Sequence, residues 1–211
     1  MSEEMNNSID KYGMSESGGV RILCITGEIE GHDNLSKGEK ATRYEHMLPL
    51  LANLEYDREV KGILFLINTM GGDVSAGLAL AEMIAGMKTP TVSLVIGDSH
   101  SIGVPIAVSA DYSFIVPSAT VLLHPVRMNG IVPGTEQTYR QFQSIQDRII
   151  HFISAHSHCP ENEVEAMMME NKNIARDLGT ILVGKEAVEA GIIDETGTVS
   201  DAFEKLDSMI K

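Results

Sequence analysis

Two near-continuous apolar runs in the middle of the chain are each followed by a glycine turn and then by a helical pattern. The first run, Val60–Ile67, precedes a turn with Gly71 and Gly72, and the second, Thr91–Ile96, precedes Gly97. Apolar runs without alternation are typical of strands that are buried on both faces of a parallel sheet. The succession predicts βαβ units, an α/β fold, and functional residues beyond the carboxyl ends of these strands.

The second turn carries a serine, Ser101, where a strand ends and a helix is predicted to begin near Ile102. A hydroxyl at this point lies beside backbone amides of the helix start, which suit developing negative charge. The turn resembles a hydrolase nucleophile elbow, although its spacing, Ser99-x-Ser101-x-Gly103, departs from the usual pattern. A serine before a helix is also a common N-cap, so both a nucleophile and a structural cap remain open.

A histidine directly after a third apolar run, Val121–Leu123, is a candidate general base. His124 would follow the end of its own strand, as Ser101 does, and an imidazole there could accept the serine proton. A capping or core histidine is the structural alternative.

Composition excludes several classes of function. The 211 residues carry a formal net charge of -14, which argues against a nucleic-acid partner. Two cysteines, Cys24 and Cys159, form no disulfide framework and fit a reducing compartment. We find no signal peptide, no membrane-spanning run, no metal-ligand cluster and no nucleotide loop. We therefore expect a cytoplasmic protein without a cofactor and without stable membrane insertion.

The chain reads as one domain, 20–211, after a polar, acidic segment, Met1–Gly19, that we expect to be a mobile tail. A long amphipathic stretch, Glu136–Ser157, predicts the longest helix. Turns are expected at Gly27–Gly31 and between the apolar runs.

Four motifs in the same order resemble those of the Clp protease proteolytic subunits (ClpP), over about Val20 to Asp194. They are the glycine turn Asn68–Gly77, the serine turn Ser101–Gly103, the strand-to-histidine segment Val121–Pro125, and the segment Glu186–Asp194. The His-Pro-x-Arg segment and the linker Arg176–Thr180 are most similar to the divergent branch known as translocation-enhancing proteins. The resemblance implies a ClpP/crotonase-like spiral of ββα units with a long protruding helix.

The resemblance also implies roles for individual residues. Ser101 would be the nucleophile and His124 the general base, while the amides of Gly72 and Ile102 would form the oxyanion hole. The third member of the triad would be Asp177, counted back from the following strand.

Counting forward from the preceding helix gives Asn171 as the alternative third member. Asp177 is preferred because a carboxylate orients the histidine and also stabilises its charged form, whereas an amide only orients it.

Four features depart from the family pattern. Met70 replaces a proline before the two glycines, and His100 stands where a small residue is usual. We expect the His100 side chain at the surface, with occlusion of the pocket as the alternative. The family's usual N-terminal segment is not recognisable in Met1–Gly19, which argues against docking of a hexameric unfoldase. The loop Arg127–Gly134, with one proline and two glycines, is not expected to form the family's extended strand.

The resulting hypothesis is a serine endopeptidase that cleaves peptides or unfolded polypeptides inside a homo-oligomeric ring. The ring would be a heptamer or stacked heptamers, working without ATP or gated by a partner. One alternative is a non-catalytic, ClpP-like ring that serves as a binding or export-associated scaffold. A crotonase-type acyl-CoA enzyme is a further alternative, but it would need neither the serine nor the histidine.

Overall fold

A computed structural model describes residues 13–32, 40–127, 133–171 and 179–210, which form nine strands and seven helices. The strands are β1 (Met14–Ser17), β2 (Val20–Glu30), β3 (Ala41–Arg43), β4 (Gly62–Gly72), β5 (Thr91–His100), β6 (Tyr112–Ile115), β7 (Thr120–Leu123), β8 (Thr180–Val183) and β9 (Glu195–Thr196). The helices are α1 (Tyr44–Tyr56), α2 (Val74–Ala85), α3 (Gly103–Val108), α4 (Glu136–Ala155), α5 (Glu161–Met168), α6 (Lys185–Glu189) and α7 (Val199–Met209).

The strands form one mixed sheet with the order β1-β2-β4-β5-β6-β9. Strands β2, β4, β5, β6 and β9 are parallel, and β1 runs antiparallel at the edge. The first half of β5 pairs with β6, whereas its last residues, Asp98–His100, pair in parallel with β7. Strand β8 then pairs antiparallel with β7. This change of partner at the end of β5 places the segment after β7 beside the serine turn.

Both faces of the central strands are covered, which explains the apolar runs of the sequence. On one face Ile67 and Val95 pack into a core with helices α1 to α4, and on the other Leu64 and Leu94 pack beneath α7. Each fully buried Leu, Ile or Val side chain contributes about 1.5–3 kcal/mol of transfer free energy. The predicted α/β architecture is confirmed.

The structure corrects two local expectations near the amino terminus. Part of the predicted mobile tail, Met14–Ser17, is strand β1, which pairs with β2 and is joined to it by Gly18 and Gly19. Residues 1–12 lie outside the described part. The expected turn at Gly27–Gly31 is also wrong, because β2 continues to Glu30. Its last residues pair with β3 on one side and with β4 on the other, and this two-sided pairing holds the backbone extended.

Helix α4 is the long helix that the amphipathic pattern predicts, and half of it protrudes. Its first residues are mostly exposed, whereas Ile149, Ile150, Phe152 and Ile153 near its end are buried against the core. Of the preceding loop, residues 128–132 lie outside the described part, so the expectation for Arg127–Gly134 stays a prediction.

Candidate active site

Ser101 occupies a left-handed turn between β5 and α3. Its φ of 55° makes it the one described non-glycine residue with a positive φ. Its N–H donates to the carbonyl of Leu122 at 2.9 Å, and its own carbonyl accepts from Val104 N–H at 3.1 Å. Left-handed backbone costs a non-glycine residue roughly 1–2 kcal/mol, and such strain persists where the surrounding contacts hold it. These contacts hold a half-buried serine on a sharp strand-to-helix turn, as the sequence predicts.

Gly71 and Gly72, for which the sequence predicts a turn, are instead the last residues of β4, and they lie directly against the serine turn. We keep the name glycine turn for this irregular pair, since both residues have a positive φ. Gly71 has φ 94°, and a Cβ added to it would come within 2.8 Å of both Ser101 Cβ and the carbonyl oxygen of His100. The same Cβ would lie 3.3 Å from the Ile102 nitrogen. Because a side chain would separate the turns, glycine is required at this position for their contact.

The direction of the Gly72 amide is constrained by its neighbour in the chain. Asp73 N–H donates to the carbonyl of Ile29 at 2.9 Å, toward β2. In a regular extended strand successive N–H groups point to opposite sides, which would direct the Gly72 N–H away from β2, but Gly72 departs from regular strand geometry with a φ of 150°. Gly72 itself is exposed. An N–H directed away from β2 would fit the predicted role of this amide as a hydrogen-bond donor beside Ser101.

A cleft of about 210 Å³ lies at this junction and is lined by Gly72, Ser101, Ile102, His124 and Arg127. The remaining wall is apolar and consists of Val74, Leu123, Val126, Ile149, Ile153 and Met168. The structure therefore brings four of the five predicted site residues to one cleft.

His124 follows β7 and is half-buried. Its Nδ1 lies 2.7 Å from the carbonyl oxygen of Pro125. Since a carbonyl oxygen can only accept, this bond requires the proton on Nδ1 and leaves Nε2 as the acceptor of the neutral ring. This tautomer is the one that a general base acting through Nε2 needs.

The predicted third member of the triad lies outside the described residues. Asp177 falls in residues 172–178, so its role remains a prediction. The alternative, Asn171, is described: it is exposed, and its backbone N–H donates to Glu170 Oε1 at 2.8 Å.

His100 is buried, at 9% exposed, and the expectation of a surface side chain is wrong. Its Nε2 lies 2.7 Å from Thr120 Oγ1, and that hydroxyl donates to Asp98 Oδ1 at 2.7 Å. Because the single hydroxyl proton goes to Asp98, Nε2 must donate to Thr120, and the buried Nδ1 has no hydrogen-bond partner among the described residues. The sequence missed this placement because it depends on the pairing of β5 with β7.

Burial lowers the pKa of His100 below its ordinary value; Asp98 opposes this shift, and the nearby His124 adds to it. The unfolded chain, with a histidine pKa of about 6.5, therefore binds more protons than the folded chain as the pH falls below that value. The native state loses stability in this range. We expect His100→Gln to show a shallower loss of stability than the wild-type protein between about pH 7 and pH 5 in urea unfolding. Parallel pH profiles of the two proteins would contradict this expectation.

Residues 26–200 match the family model described as Clp protease, and the chain belongs to that family. It is 45% identical over 196 residues to the translocation-enhancing protein TepA of Halalkalibacterium halodurans, covering 93% of this chain and 77% of the relative. It is also 30% identical over 186 residues to an ATP-dependent Clp protease proteolytic subunit of Streptococcus sanguinis, covering 83% of each chain. These findings confirm the recognised family and the expected ClpP-like α/β fold.

Two further properties of the described residues bear on the site. Among them, no group of three or more histidine, cysteine, aspartate or glutamate side chains is arranged to hold a metal ion. None of the helices that the structure describes is both long and apolar enough to cross a membrane.

Proposed function

We propose that this protein is a serine peptidase that cleaves peptides or unfolded polypeptides in the cytoplasm. The observation that carries the proposal is the strained Ser101 turn, held against the Gly71–Gly72 turn in a cleft that also contains His124. If Ser101 only capped the helix and His124 only packed in the core, the left-handed backbone at Ser101 would serve no purpose.

In the proposed mechanism Ser101 Oγ attacks the scissile carbonyl, and His124 Nε2 accepts its proton. The same nitrogen then gives the proton to the leaving amine, which leaves the acyl group as an ester on Ser101 Oγ. In the second step His124 Nε2 accepts a proton from a water molecule that attacks this ester, and it returns the proton to Ser101 Oγ as the carboxylic acid product leaves. The N–H groups of Gly72 and Ile102 stabilise the oxyanion of the tetrahedral intermediate. Asp177 is retained as the proposed third member, since a carboxylate near His124 would stabilise the imidazolium that forms during attack.

The apolar wall of the cleft supports a preference for an apolar side chain next to the scissile bond. Val74, Ile149, Ile153 and Met168 carry no charge, and Arg127 is the charged side chain among the described residues that line the cleft. A volume of about 210 Å³ suits a single aliphatic or aromatic side chain.

We further propose that the protein works as a homo-oligomeric ring. Cross-strand pairing places Asp98 and His100 of β5 on the same sheet face as Ile181 and Val183 of β8. Ile181 and Val183 are 48% and 42% exposed, which leaves an apolar strip on β8 that a second copy would cover. Heptamers, single or stacked, are the expected assembly.

A ring that binds partners without cleaving them is the second candidate. The 45% identity to a protein named for enhancing translocation supports an export-associated scaffold. The reactivity of Ser101 would distinguish the two candidates, because a scaffold needs no reactive serine.

A fluorophosphonate probe tests the proposal, because it forms a covalent bond only with an activated serine. We expect the purified, assembled protein to be labelled once per chain, with the adduct on Ser101 in peptide mapping by mass spectrometry. Pre-incubation with a peptide aldehyde should block the reaction. Absence of labelling in a folded ring, or an adduct confined to another residue, would contradict the peptidase proposal and favour the scaffold.

A further inference from the structure

Thr69 connects the glycine turn to the neighbouring strand through its side chain. It is buried, at 1% exposed, and lies two residues before Gly71. Its hydroxyl donates to the carbonyl of Gly27 at 2.5 Å and accepts from Gly71 N–H at 3.1 Å. The hydroxyl proton is thus used by the Gly27 carbonyl of β2, and one of its lone pairs is used by the Gly71 N–H of β4.

These contacts occur where the regular ladder is interrupted. The β2–β4 register shifts between Gly27 and Glu28, and the β4–β5 register shifts between Ile67 and Thr69. An irregular ladder leaves backbone groups that need other partners, because a buried N–H or C=O without one is costly. The Thr69 hydroxyl supplies partners for two of them.

The Gly72 N–H belongs to the peptide unit that joins Gly71 to Gly72. The preceding unit is held by the bond from Gly71 N–H to Thr69 Oγ1. The following unit is held by the bond from Asp73 N–H to the Ile29 carbonyl. Two glycines in series allow the unit between them to rotate, since neither has a Cβ. Holding the units on both sides limits the rotation that is left to the unit between them, and this restricts the direction of the Gly72 N–H.

Met70 does not supply this restraint. The family's proline at this position would preset the backbone, whereas Met70 is 64% exposed and has an unrestricted φ. The side chain of Asn68 holds β4 to β5 one residue before Thr69, because its Oδ1 accepts from Asp98 N–H at 3.0 Å, and this bond does not involve the two glycines.

We propose that Thr69 is a positioning residue of the candidate oxyanion site and that its hydroxyl holds the Gly71–Gly72 turn in the donor orientation. The catalytic consequence rests on the proposed peptidase function. The restraint on the turn does not, and it can be measured separately.

Three variants test this inference. Thr69→Val keeps the side-chain shape and removes the hydroxyl, and Thr69→Ser keeps the hydroxyl. Thr91→Val is the matched control. Thr91 is also buried, and its hydroxyl also makes two bonds, since it donates to the Asp111 carboxylate and accepts from the Asp111 N–H. Thr91 begins β5, at the end of that strand away from Ser101. Two rates are measured: amide hydrogen exchange of Gly71 relative to core amides such as Ile67, and fluorophosphonate acylation.

In Thr69→Val we expect Gly71 exchange to become at least about tenfold faster relative to the core. Acylation should slow by about 10- to 100-fold, less than the 100- to 1000-fold typical of losing an oxyanion donor outright. Thr69→Ser should stay within about threefold of wild type in both rates. Thr91→Val should leave relative Gly71 exchange and acylation unchanged even if its stability falls.

Unchanged relative exchange of Gly71 in Thr69→Val would overturn the inference, and so would equal losses of acylation in Thr69→Val and Thr69→Ser. A wild-type protein that resists acylation while Gly71 exchange responds to Thr69→Val would overturn the peptidase proposal and leave the restraint on the turn supported.

Discussion

Ser101→Ala is expected to abolish fluorophosphonate labelling and to lower the kcat for peptide hydrolysis by about 10⁴- to 10⁶-fold. The reason is that the hydroxyl on the left-handed turn is the proposed nucleophile, and water cannot replace it in the covalent step. Labelling is followed by intact mass and hydrolysis by release of a fluorophore from a short apolar peptide. Circular dichroism and sedimentation establish that the variant folds and assembles like the wild-type protein.

Ser99→Ala is the matched control for this experiment. Ser99 lies on β5, two residues before Ser101, and is fully buried; in the part of the chain that the structure describes, its hydroxyl has no hydrogen-bond partner. Its removal is expected to change labelling by less than about twofold and to leave stability equal or slightly higher, since an unsatisfied buried hydroxyl is lost. Labelling that persists in Ser101→Ala but disappears in Ser99→Ala would contradict the assignment of the nucleophile.

The histidine belongs to the same experiment because residues that act as one catalytic unit show non-additive losses. His124→Ala should lose nearly as much activity as Ser101→Ala, and the double variant should lose little more than either. Independent, multiplicative losses would indicate that the two side chains do not act together.

Much of this site could be predicted from local sequence. The apolar runs predict the two buried strands, and the start of a helix after Ser101 also follows from short-range patterns. The expected ends of the strands are wrong, because β4 continues through Gly71 and Gly72 and β5 continues through Gly97 to His100. The partner of β5 does not follow in this way. The last residues of β5 pair with one edge of β7. The other edge of β7 pairs with β8, which lies about 60 residues further along the chain. The burial of His100 depends on that pairing, and a polar residue in a short motif carries no signal of it.

The role of the Thr69 hydroxyl could not be predicted from the sequence either, and the reason is physical. Threonine is common in strands, and nothing in its neighbours distinguishes a hydroxyl that faces solvent from one that bridges Gly27 and Gly71. The distinction arises from the interrupted ladder between β2 and β4, which appears only when the strands are aligned. The third triad member, Asp177, lies outside the described residues and stays a prediction.

Gly71→Ala is expected to separate the two turns and to slow fluorophosphonate acylation by at least about 100-fold. The added Cβ would meet the His100 carbonyl oxygen and Ser101 Cβ, both at 2.8 Å, and the φ of 94° adds backbone strain. The clash involves backbone and a Cβ that cannot rotate away, so the turns themselves must move. We expect a loss of about 2–4 kcal/mol in the free energy of unfolding, measured with urea.

Gly18→Ala separates the steric effect from the strain of a positive φ. Gly18 has φ 57° and lies in the turn between β1 and β2, where an added Cβ meets nothing within 4 Å. This variant should lose about 1 kcal/mol of stability and keep wild-type acylation. If Gly71→Ala instead loses no more stability than Gly18→Ala and is acylated at the wild-type rate, the contact between the two turns does not organise the site. In that case the donor orientation of Gly72 and the role of Thr69 would both need another explanation.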